Sequence, residues 1–362
     1  MVDFEPTEEQ ALIRETVHAF AENEVRPKAR EADEKGELDA GVVAAAHELG
    51  LVAAALPEAH GGGGERSAVT GCLVAEELAW GDLAQALGIL SPALLGLPAV
   101  DFGTPEQQQR LLPALLGPSF VPGSLAWVEP RYGFDALRLR TRAHRDGDAF
   151  VLDGSKCFVP WQHGLSRLWL VADLDGAPQA FLTEVDAPGL VAERERNLGI
   201  QGLPTAELTL SGLRLPLDAR LGGEAGADLR TLLVRGRVAL CACAVGVARA
   251  AYEVSLAYAK ERETFGAPIA TRQAIAFMLA DMATEIDGTR LLGWEAAWRL
   301  DAGLDAMREA TLAFDKAKRT ALRVADGAVQ IFGGHGYIRD YLPELLLRNA
   351  RGFAAFEALA LV

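Results

Sequence analysis

The chain has 362 residues, half of them hydrophobic and 23% charged, with a formal net charge of −15. This length predicts two or three domains around a large buried core. The acidic charge argues against nucleic-acid binding, because nucleic-acid-binding domains usually carry a basic stripe. Residues 1–5 have neither the basic nor the apolar region of a secretory signal, and no apolar run reaches the ~18 residues of a membrane helix. We therefore expect a cytoplasmic protein that does not contact a membrane.

The first third of the chain predicts helices. Thr7 and Gln10 can form a capping box, and apolar residues from Leu12 to Val25 then recur at helical spacing until Pro27 ends or kinks the run. The glycine-rich stretch 57–64 is interpreted as a flexible turn, since no Lys-Ser/Thr follows it as in a phosphate-binding loop. The other helices predicted in this part cover residues 40–49, 68–80, 87–100 and 105–116.

The pattern changes to strands between about residues 123 and 215, where apolar runs shorten and are broken by Asp, Gly and Pro. Residues 149–152 and 156–159 flank Asp153-Gly154-Ser155, a pattern that predicts a hairpin with Gly154 at positive φ. Further short strands are expected over 168–172, 180–185 and 208–210. Short, regularly spaced strands of this kind indicate a small barrel or sandwich.

Long helices return near residue 226. Segments 229–260, 273–301, 304–332 and 342–361 supply the four helices that a four-helix bundle needs. The predicted domains are therefore a helical domain over 1–122, a β domain over 123–225 and a bundle over 226–362.

The cysteines are Cys72, Cys157, Cys241 and Cys243, and none forms a CxxC pair. Cys241 and Cys243 lie two residues apart in a helical run, so their side chains point in different directions. We expect free thiols in a reducing compartment and no metal site.

Familiar catalytic motifs such as HExxH, GxSxG and the Walker sequence do not occur, but three segments stand out. In residues 261–266, an Arg and a Thr at a helix end can hold an anion such as a pyrophosphate, although a solvated helix terminus explains them as well. In residues 330–337, three glycines let a ligand or another chain approach the backbone, although a plain loop is equally possible. Glu357 is a lone carboxylate in an apolar stretch, where burial would raise its pKa and suit it as a general base, unless it is merely a frayed terminal residue.

Taken in order, these segments resemble the acyl-CoA dehydrogenase family over nearly the whole chain. Residues 261–266, 273–275, 279–283 and 330–339 are close to the family's C-terminal signatures. Residues 126–135 (AWVEPRYGFD) resemble its flavin-contacting motif, and residues 152–159 (LDGSKCFV) resemble the segment that carries an aromatic side chain over the flavin.

This resemblance implies an α+β multi-domain fold: an N-terminal all-α domain, a small central β-barrel and a C-terminal four-helix bundle. It also implies a flavoprotein oxidoreductase of fatty acid metabolism that binds FAD across a dimer contact, as a homodimer or homotetramer. The implied cofactor-binding residues are Trp127, Val128, Gly133, Phe158, Arg262, Thr264, Phe265, Gln273, Gln330, Gly333 and Gly334. The implied substrate-binding residues are Phe134, Arg237 and Phe356.

The implied reaction is α,β-dehydrogenation of an acyl-CoA or a carrier-bound acyl thioester. Glu357, preceded by Phe356 as in one branch of the family, would remove the α-proton while the β-hydride passes to flavin N5. The other branch carries its base just before the arginine that matches Arg237, where this chain has Gly236. Electrons would leave to an electron-transfer flavoprotein.

Several positions depart from the family pattern around the flavin. Val128, Phe134 and Pro160 replace residues with hydroxyl groups, and Ala358–Val362 replaces a Gly-Thr-x-Glu/Gln-Ile segment. Each lost hydrogen bond to a charged or polar partner costs about 1.5–3 kcal/mol, so FAD binding is expected to weaken unless other contacts compensate. A second hypothesis therefore stays open: a non-redox homologue that binds an acyl group or serves in a heteromeric complex, with weak or no FAD binding. A related flavin oxidase is a third.

Overall fold

The computed structural model of the protein describes residues 5–353 and 357–362. Its N-terminal part is helical. The helices are α1 (Glu8–Phe20), α2 (Ala29–Lys35), α3 (Ala40–Glu48), α4 (Ala68–Gly81), α5 (Leu83–Ile89), α6 (Pro92–Phe102) and α7 (Pro105–Leu115).

The ends of these helices follow the local sequence. The predicted capping box is present at α1, where the Gln10 backbone N–H donates to the Thr7 hydroxyl and the Thr7 N–H donates to the Gln10 side chain. A π-helical turn (Ala21–Val25) and a 3₁₀ turn (Arg26–Lys28) follow α1, so the helix changes character at Pro27 as expected. The helical structure predicted around 87–100 is present, but it is divided into α5 and α6, because Pro92 starts the second of them.

The central part is one curled sheet of seven strands in the order β1-β4-β2-β3-β7-β6, with β5 paired to β4. Its strands are β1 (Leu125–Ala126), β2 (Arg142–Asp146), β3 (Ala149–Pro160), β4 (Arg167–Leu174), β5 (Ala177–Glu184), β6 (Leu190–Arg194) and β7 (Thr205–Pro216). Sequence reasoning missed β2 and β6, which are short and largely exposed.

The hairpin predicted at Asp153-Gly154-Ser155 is wrong. Residues 149–160 form the single strand β3, which pairs antiparallel with β7 on both sides of Gly154. Gly154 has φ 146°, and the register shifts between Leu152 and Gly154. A Cβ at Gly154 would lie 2.7 Å from the Thr141 Cα, so the glycine permits a bulge against a neighbouring segment rather than a chain reversal.

The C-terminal part is a helical bundle. It consists of α8 (Arg230–Glu261), the two-strand hairpin β8 (Glu263–Thr264) and β9 (Ala267–Pro268), α9 (Gln273–Asp301), α10 (Met307–Phe332) and α11 (Pro343–Gly352). The predicted extension of the last helix to residue 361 is wrong. Residues 357–362 are not helical, Ala358 has φ 53°, and the apolar side chains of 358–362 are buried. Burial against the rest of the protein outweighs the helical propensity of this Ala/Leu stretch.

The predicted fold class is therefore confirmed: a helical domain, a curled sheet and a second helical domain follow one another. The proposed domain boundaries after residues 122 and 225 lie outside the helices and strands and stay predictions. All four cysteines are free and buried. Within the described residues, no group of three or more His, Cys, Asp or Glu side chains is arranged to hold a metal ion.

Helix α8 is the centre of this assembly. By length and composition it is apolar enough to cross a membrane, but 83% of its most apolar window is buried inside the fold. It packs against α4 through a buried ionic cluster: Arg249 pairs with Glu76 at 2.8 Å and also with Glu77, and Arg290 from α9 reaches Glu76 at 3.0 Å. Such a cluster fixes one arrangement of three helices, because removing one partner would leave a buried charge uncompensated.

Two glycines test how closely α4 and α8 approach. At Gly246 in α8, a Cβ would lie 2.2 Å from the Glu76 carbonyl oxygen, whereas nothing lies within 4 Å of a Cβ at Gly288 in α9. Gly246→Ala is expected to lower the free energy of unfolding by about 1–3 kcal/mol through overpacking. Gly288→Ala, the matched control, should raise it by about 0.5–1 kcal/mol through helix propensity. Urea denaturation measures both, and equal effects would contradict the close approach.

Candidate active site

Glu357 and Arg237 lie together at the face of α8. The Arg237 guanidinium contacts the Glu357 carboxylate at 3.0 Å through Nη2 and at 3.5 Å through Nε. Arg237 also donates to the Thr311 hydroxyl of α10 at 2.8 Å, which fixes the guanidinium from a second helix. The exposed fractions of the two side chains are 16% for Glu357 and 17% for Arg237, so the pair is largely buried but open to a ligand.

The surroundings of Glu357 set its protonation. Burial raises its pKa above the usual range, and the charge and hydrogen bond of Arg237 offset only part of that effect. A carboxyl group with a raised pKa is a stronger base once ionised and is suited to proton transfer near neutral pH. The predicted burial of this carboxylate therefore agrees with its described position.

The flavin-contact motif of the resemblance lies where β1 leaves the sheet. Trp127 is buried and its indole N–H donates to the Ala136 carbonyl at 2.8 Å. Val128 is also buried, and its carbonyl accepts the Cys157 N–H at 3.0 Å. Gly133 has φ 67°, and Phe134 is half-buried. The backbone of this motif is thus anchored to β3.

A buried ion pair that sequence reasoning missed holds the same motif. Lys156 of β3 is fully buried, and its Nζ contacts the Trp127 carbonyl at 3.0 Å and Glu129 Oε1 at 3.3 Å. The Glu129 carboxylate also accepts the Thr141 N–H at 2.8 Å. Burial lowers the pKa of Lys156 to about 8 although Glu129 acts in the opposite direction, so the lysine stays charged at pH 7. The partners are 27 residues apart, and no local pattern signals the contact.

Phe158, the predicted aromatic neighbour of the flavin, has φ 55°, an uncommon backbone conformation for a bulky residue. Its N–H donates to Glu195 Oε2 at 2.9 Å, and burial raises the pKa of that carboxyl group. Strained backbone of this kind concentrates at functional sites. Glu195 was not predicted, since it lies far from Phe158 in the sequence.

The remaining predicted cofactor residues form a second group at one end of α8 and α10. Tyr258 of α8 stacks on Phe332 with ring centroids 4.0 Å apart, and its hydroxyl lies 2.9 Å from His335 Nδ1. These contacts tie the C-terminal end of α8 to the end of α10 and the loop that follows it. The predicted residues in this group are Arg262, Thr264 and Phe265 in and beside the hairpin, Gln273 at the start of α9, and Gln330, Gly333 and Gly334 at the end of α10.

This second group fits the anionic half of a dinucleotide. Arg262 is exposed, and it takes part in none of the ion pairs between described residues. Nothing lies within 4 Å of a Cβ at Gly333 or Gly334, so the backbone there is open to a ligand. At the first group, in contrast, Val128, Phe134 and Pro160 offer no side-chain hydroxyl. The residues present therefore fit a phosphate-bearing cofactor at one end and would offer its ring fewer side-chain hydroxyl groups at the other.

The structure thus brings Glu357 and Arg237 together and places the predicted cofactor residues in two groups. Phe356, predicted to bind substrate, lies outside the described residues.

The Lys156–Glu129 pair predicts a large mutational effect. Lys156→Met should lower the free energy of unfolding, but by less than the ~3–5 kcal/mol of a fully uncompensated buried charge, because Arg131 Nε stays 3.2 Å from Glu129 Oε2. Lys35→Met is the matched control, since it breaks the exposed Lys35–Glu31 pair of α2, and a solvent-screened surface pair adds little stability. Chemical denaturation compares the two. A further Glu129→Gln change should recover part of the Lys156→Met loss, and no recovery would contradict the pairing.

Two family models match the chain. Residues 7–117 match the acyl-CoA dehydrogenase N-terminal domain, and residues 227–357 match the acyl-CoA dehydrogenase C-terminal domain. The chain is 36% identical over 361 residues to the probable acyl-CoA dehydrogenase YngJ of Bacillus subtilis (strain 168), a match that covers 97% of this chain and 94% of YngJ.

Solved structures agree. Butyryl-CoA dehydrogenase from Megasphaera elsdenii superimposes with a TM-score of 0.88 at 30% identity, over 98% of this chain and 96% of that one. A chain in the structure of the electron transferring flavoprotein of Acidaminococcus fermentans superimposes with a TM-score of 0.89 at 32% identity, over 98% of this chain and 95% of that one.

Proposed function

This chain belongs to the acyl-CoA dehydrogenase family, and from that premise we propose that it is a flavin-dependent oxidoreductase that dehydrogenates an acyl-CoA or carrier-bound acyl thioester between its α and β carbons. The observation that carries the proposal is the largely buried Glu357 carboxylate, with its raised pKa, beside Arg237. A family fold without a base would support binding alone.

FAD is the proposed cofactor, and when bound it would supply a hydride acceptor at its N5 atom. Arg262, Thr264, Phe265 and Gln273 would hold it together with Gln330 and the uncrowded glycines Gly333 and Gly334. Trp127, Val128, Gly133 and Phe158 would line its ring end. The support is the unpaired Arg262 guanidinium and the free space at the two glycines.

Glu357 would accept the α-proton of the thioester. Its partial exposure lets the α-carbon of a substrate reach the carboxylate. Its raised pKa reduces the difference between the pKa of the base and the pKa of the α C–H group that it deprotonates. Arg237 would orient the carboxylate and keep it ionised, because Thr311 holds the guanidinium in place from α10. Phe134 and Phe356 are the further proposed substrate contacts.

A second candidate function is a non-redox homologue that binds an acyl group or completes a heteromeric complex. The observation that favours it is the missing hydroxyl groups at Val128, Phe134 and Pro160, together with the apolar, buried segment 358–362 where the family pattern is polar. Both candidates share the acyl-binding site and differ in whether FAD stays bound.

The proposed electron acceptor is an electron-transfer flavoprotein, and the proposed assembly is a homodimer or homotetramer in the cytoplasm, acting in fatty acid metabolism. Support for self-association is the exposure of large apolar side chains at one end of the bundle. Phe265 at the hairpin tip is 98% exposed, and Tyr337 is exposed nearby along the loop after α10.

The two candidate functions predict different visible absorption spectra for the purified protein. We expect purified protein, after incubation with FAD, to retain a flavin absorption band through gel filtration. Val128→Thr should tighten FAD binding by about 3–10-fold by restoring one hydrogen-bonding hydroxyl. Val191→Thr, the same change at an exposed site of β6, should leave FAD affinity unchanged. A protein that stays colourless in all three forms would favour the non-redox candidate.

The role of Glu357 predicts both a loss and a pH shift. Glu357→Gln should lower kcat by about 10²–10⁴-fold without removing the flavin band, because a general base is lost. Glu48→Gln, an exposed carboxylate of α3, is the control. In the unmodified protein, kcat should rise with pH as Glu357 ionises above the usual glutamate range. Arg237→Met should move this rise to higher pH, because Arg237 is the main group that lowers the Glu357 pKa. A pH profile unchanged in Arg237→Met would contradict the assignment.

A further inference from the structure

We propose that Leu361 and Val362 form a wall that limits the acyl group to a short chain by separating the Glu357 carboxylate from a neighbouring apolar cavity. This inference rests on the proposed acyl-thioester site and goes beyond it, because it assigns the substrate's length to two residues of this chain.

The segment after Glu357 crosses from α8 to α4. A Cβ on Gly236 of α8 would lie 3.4 Å from the Ala358 Cα, and a Cβ on Gly71 of α4 would lie 2.8 Å from the Val362 Cβ. The Arg235 guanidinium donates to the Val362 backbone oxygen at 2.8 Å. Glycines on two facing helices thus make room for the segment, and an arginine of α8 fixes its far end.

An apolar cavity of about 330 Å³ begins where this segment ends. Leu361 and Val362 line this cavity on one side. The other apolar residues that line the cavity come from α1, α4, α6 and the turn before α6. They include Leu12, Val17, Val74, Leu90, Ala93 and Leu97. This volume is of the size that ligand pockets have, and its lining is suited to a hydrocarbon chain.

The two residues of the wall line this cavity and follow the base closely in the sequence. Leu361 lies four positions after Glu357, and an extended chain rises at most about 3.6 Å per residue, so the Cα atoms of these two residues lie within about 14 Å of each other. Leu359 and Leu361 are almost completely buried, which leaves their space filled. Because protein interiors are packed with few voids, an acyl chain that starts at Glu357 cannot pass this segment without displacing it.

Truncating a side chain of the wall should therefore allow the site to accept longer acyl chains. Leu361→Ala removes most of one side chain and should extend the space available to the acyl chain into the cavity. Leu346→Ala in α11 is the matched control, since Leu346 and Leu361 are each 3% exposed but Leu346 does not line the cavity. The two substitutions should cost similar stability and differ only in their effect on chain length.

The experiment measures kcat/KM for saturated acyl-CoAs of increasing length with the FAD-reconstituted protein. The unmodified protein should prefer short chains. Leu361→Ala should gain about fourfold in kcat/KM for each additional methylene that it accommodates, equivalent to about 0.8 kcal/mol per buried methylene. Val362→Ala should act in the same direction, and Leu346→Ala should leave the preference unchanged. The proposal would be overturned if Leu361→Ala showed the same dependence of kcat/KM on chain length as the unmodified protein. It would also be overturned if the unmodified protein already preferred long chains.

A second readout separates this inference from the redox proposal. Calorimetric titration of the same acyl-CoAs into Glu357→Gln protein reports binding without turnover. Tighter binding of long chains by the Glu357→Gln/Leu361→Ala double variant than by Glu357→Gln alone would support the wall even if neither protein retains FAD. If the double variant and Glu357→Gln bind each acyl-CoA with equal affinity, the proposed role of the wall is rejected, whatever the activity of the unmodified protein.

Discussion

The site depends on holding one carboxylate in a mostly apolar setting with a single guanidinium. Removing Glu357 from water costs free energy, and the charge of Arg237 compensates only part of it, which is why the pKa of the carboxyl group stays above its usual range. Arg237 can do this because Thr311 fixes it from a second helix of the bundle. The proposed base and the packing of α8 against α10 are therefore parts of one arrangement. A change in the helix packing would alter the proton affinity of Glu357 before it altered the fold.

The candidate cofactor site has unequal ends. At the bundle end, Arg262 is exposed and nothing lies within 4 Å of a Cβ at Gly333 or Gly334, although the Gly333 N–H itself donates to the Gln330 carbonyl. At the sheet end, the backbone of Val128 and Phe158 is anchored by Cys157 and Glu195, but the hydroxyl groups of the family pattern are replaced. Hydrogen bonds to charged groups are stronger than those between neutral groups, so the end that has been kept is the one that contributes more free energy per contact. The loss of ring-edge hydroxyls need not abolish a dinucleotide site of this kind.

The sequence predicted what local chemistry determines and missed what distant contacts determine. The capping box of Thr7 and Gln10 and the span of α9 follow from neighbouring residues, and both are confirmed. Gly154 was misassigned to a turn because a glycine at positive φ is equally compatible with a bulge, and only the closeness of Thr141 decides between them. Lys156–Glu129 and Phe158–Glu195 join partners 27 and 37 residues apart, and no periodicity connects them. The resemblance supplied Glu357 and Arg237 as separate positions, whereas the structure adds the contact between them.

The helix predicted from the propensity of residues 358–362 does not form, and the reason bears on function. An Ala/Leu stretch favours a helix only when tertiary packing does not offer more, and here it buries every side chain between α4 and α8. Glycines at positions 71 and 236 remove the side chains that would otherwise occupy this path. Since Glu357 lies directly before the buried segment, packing of Leu361 and Val362 restricts where the carboxylate can lie. The contacts that would exclude a long acyl chain are therefore close in sequence to the proposed base, but the Glu357 carboxylate itself is held by Arg237, so a smaller side chain at position 361 is expected to change substrate length more than base position.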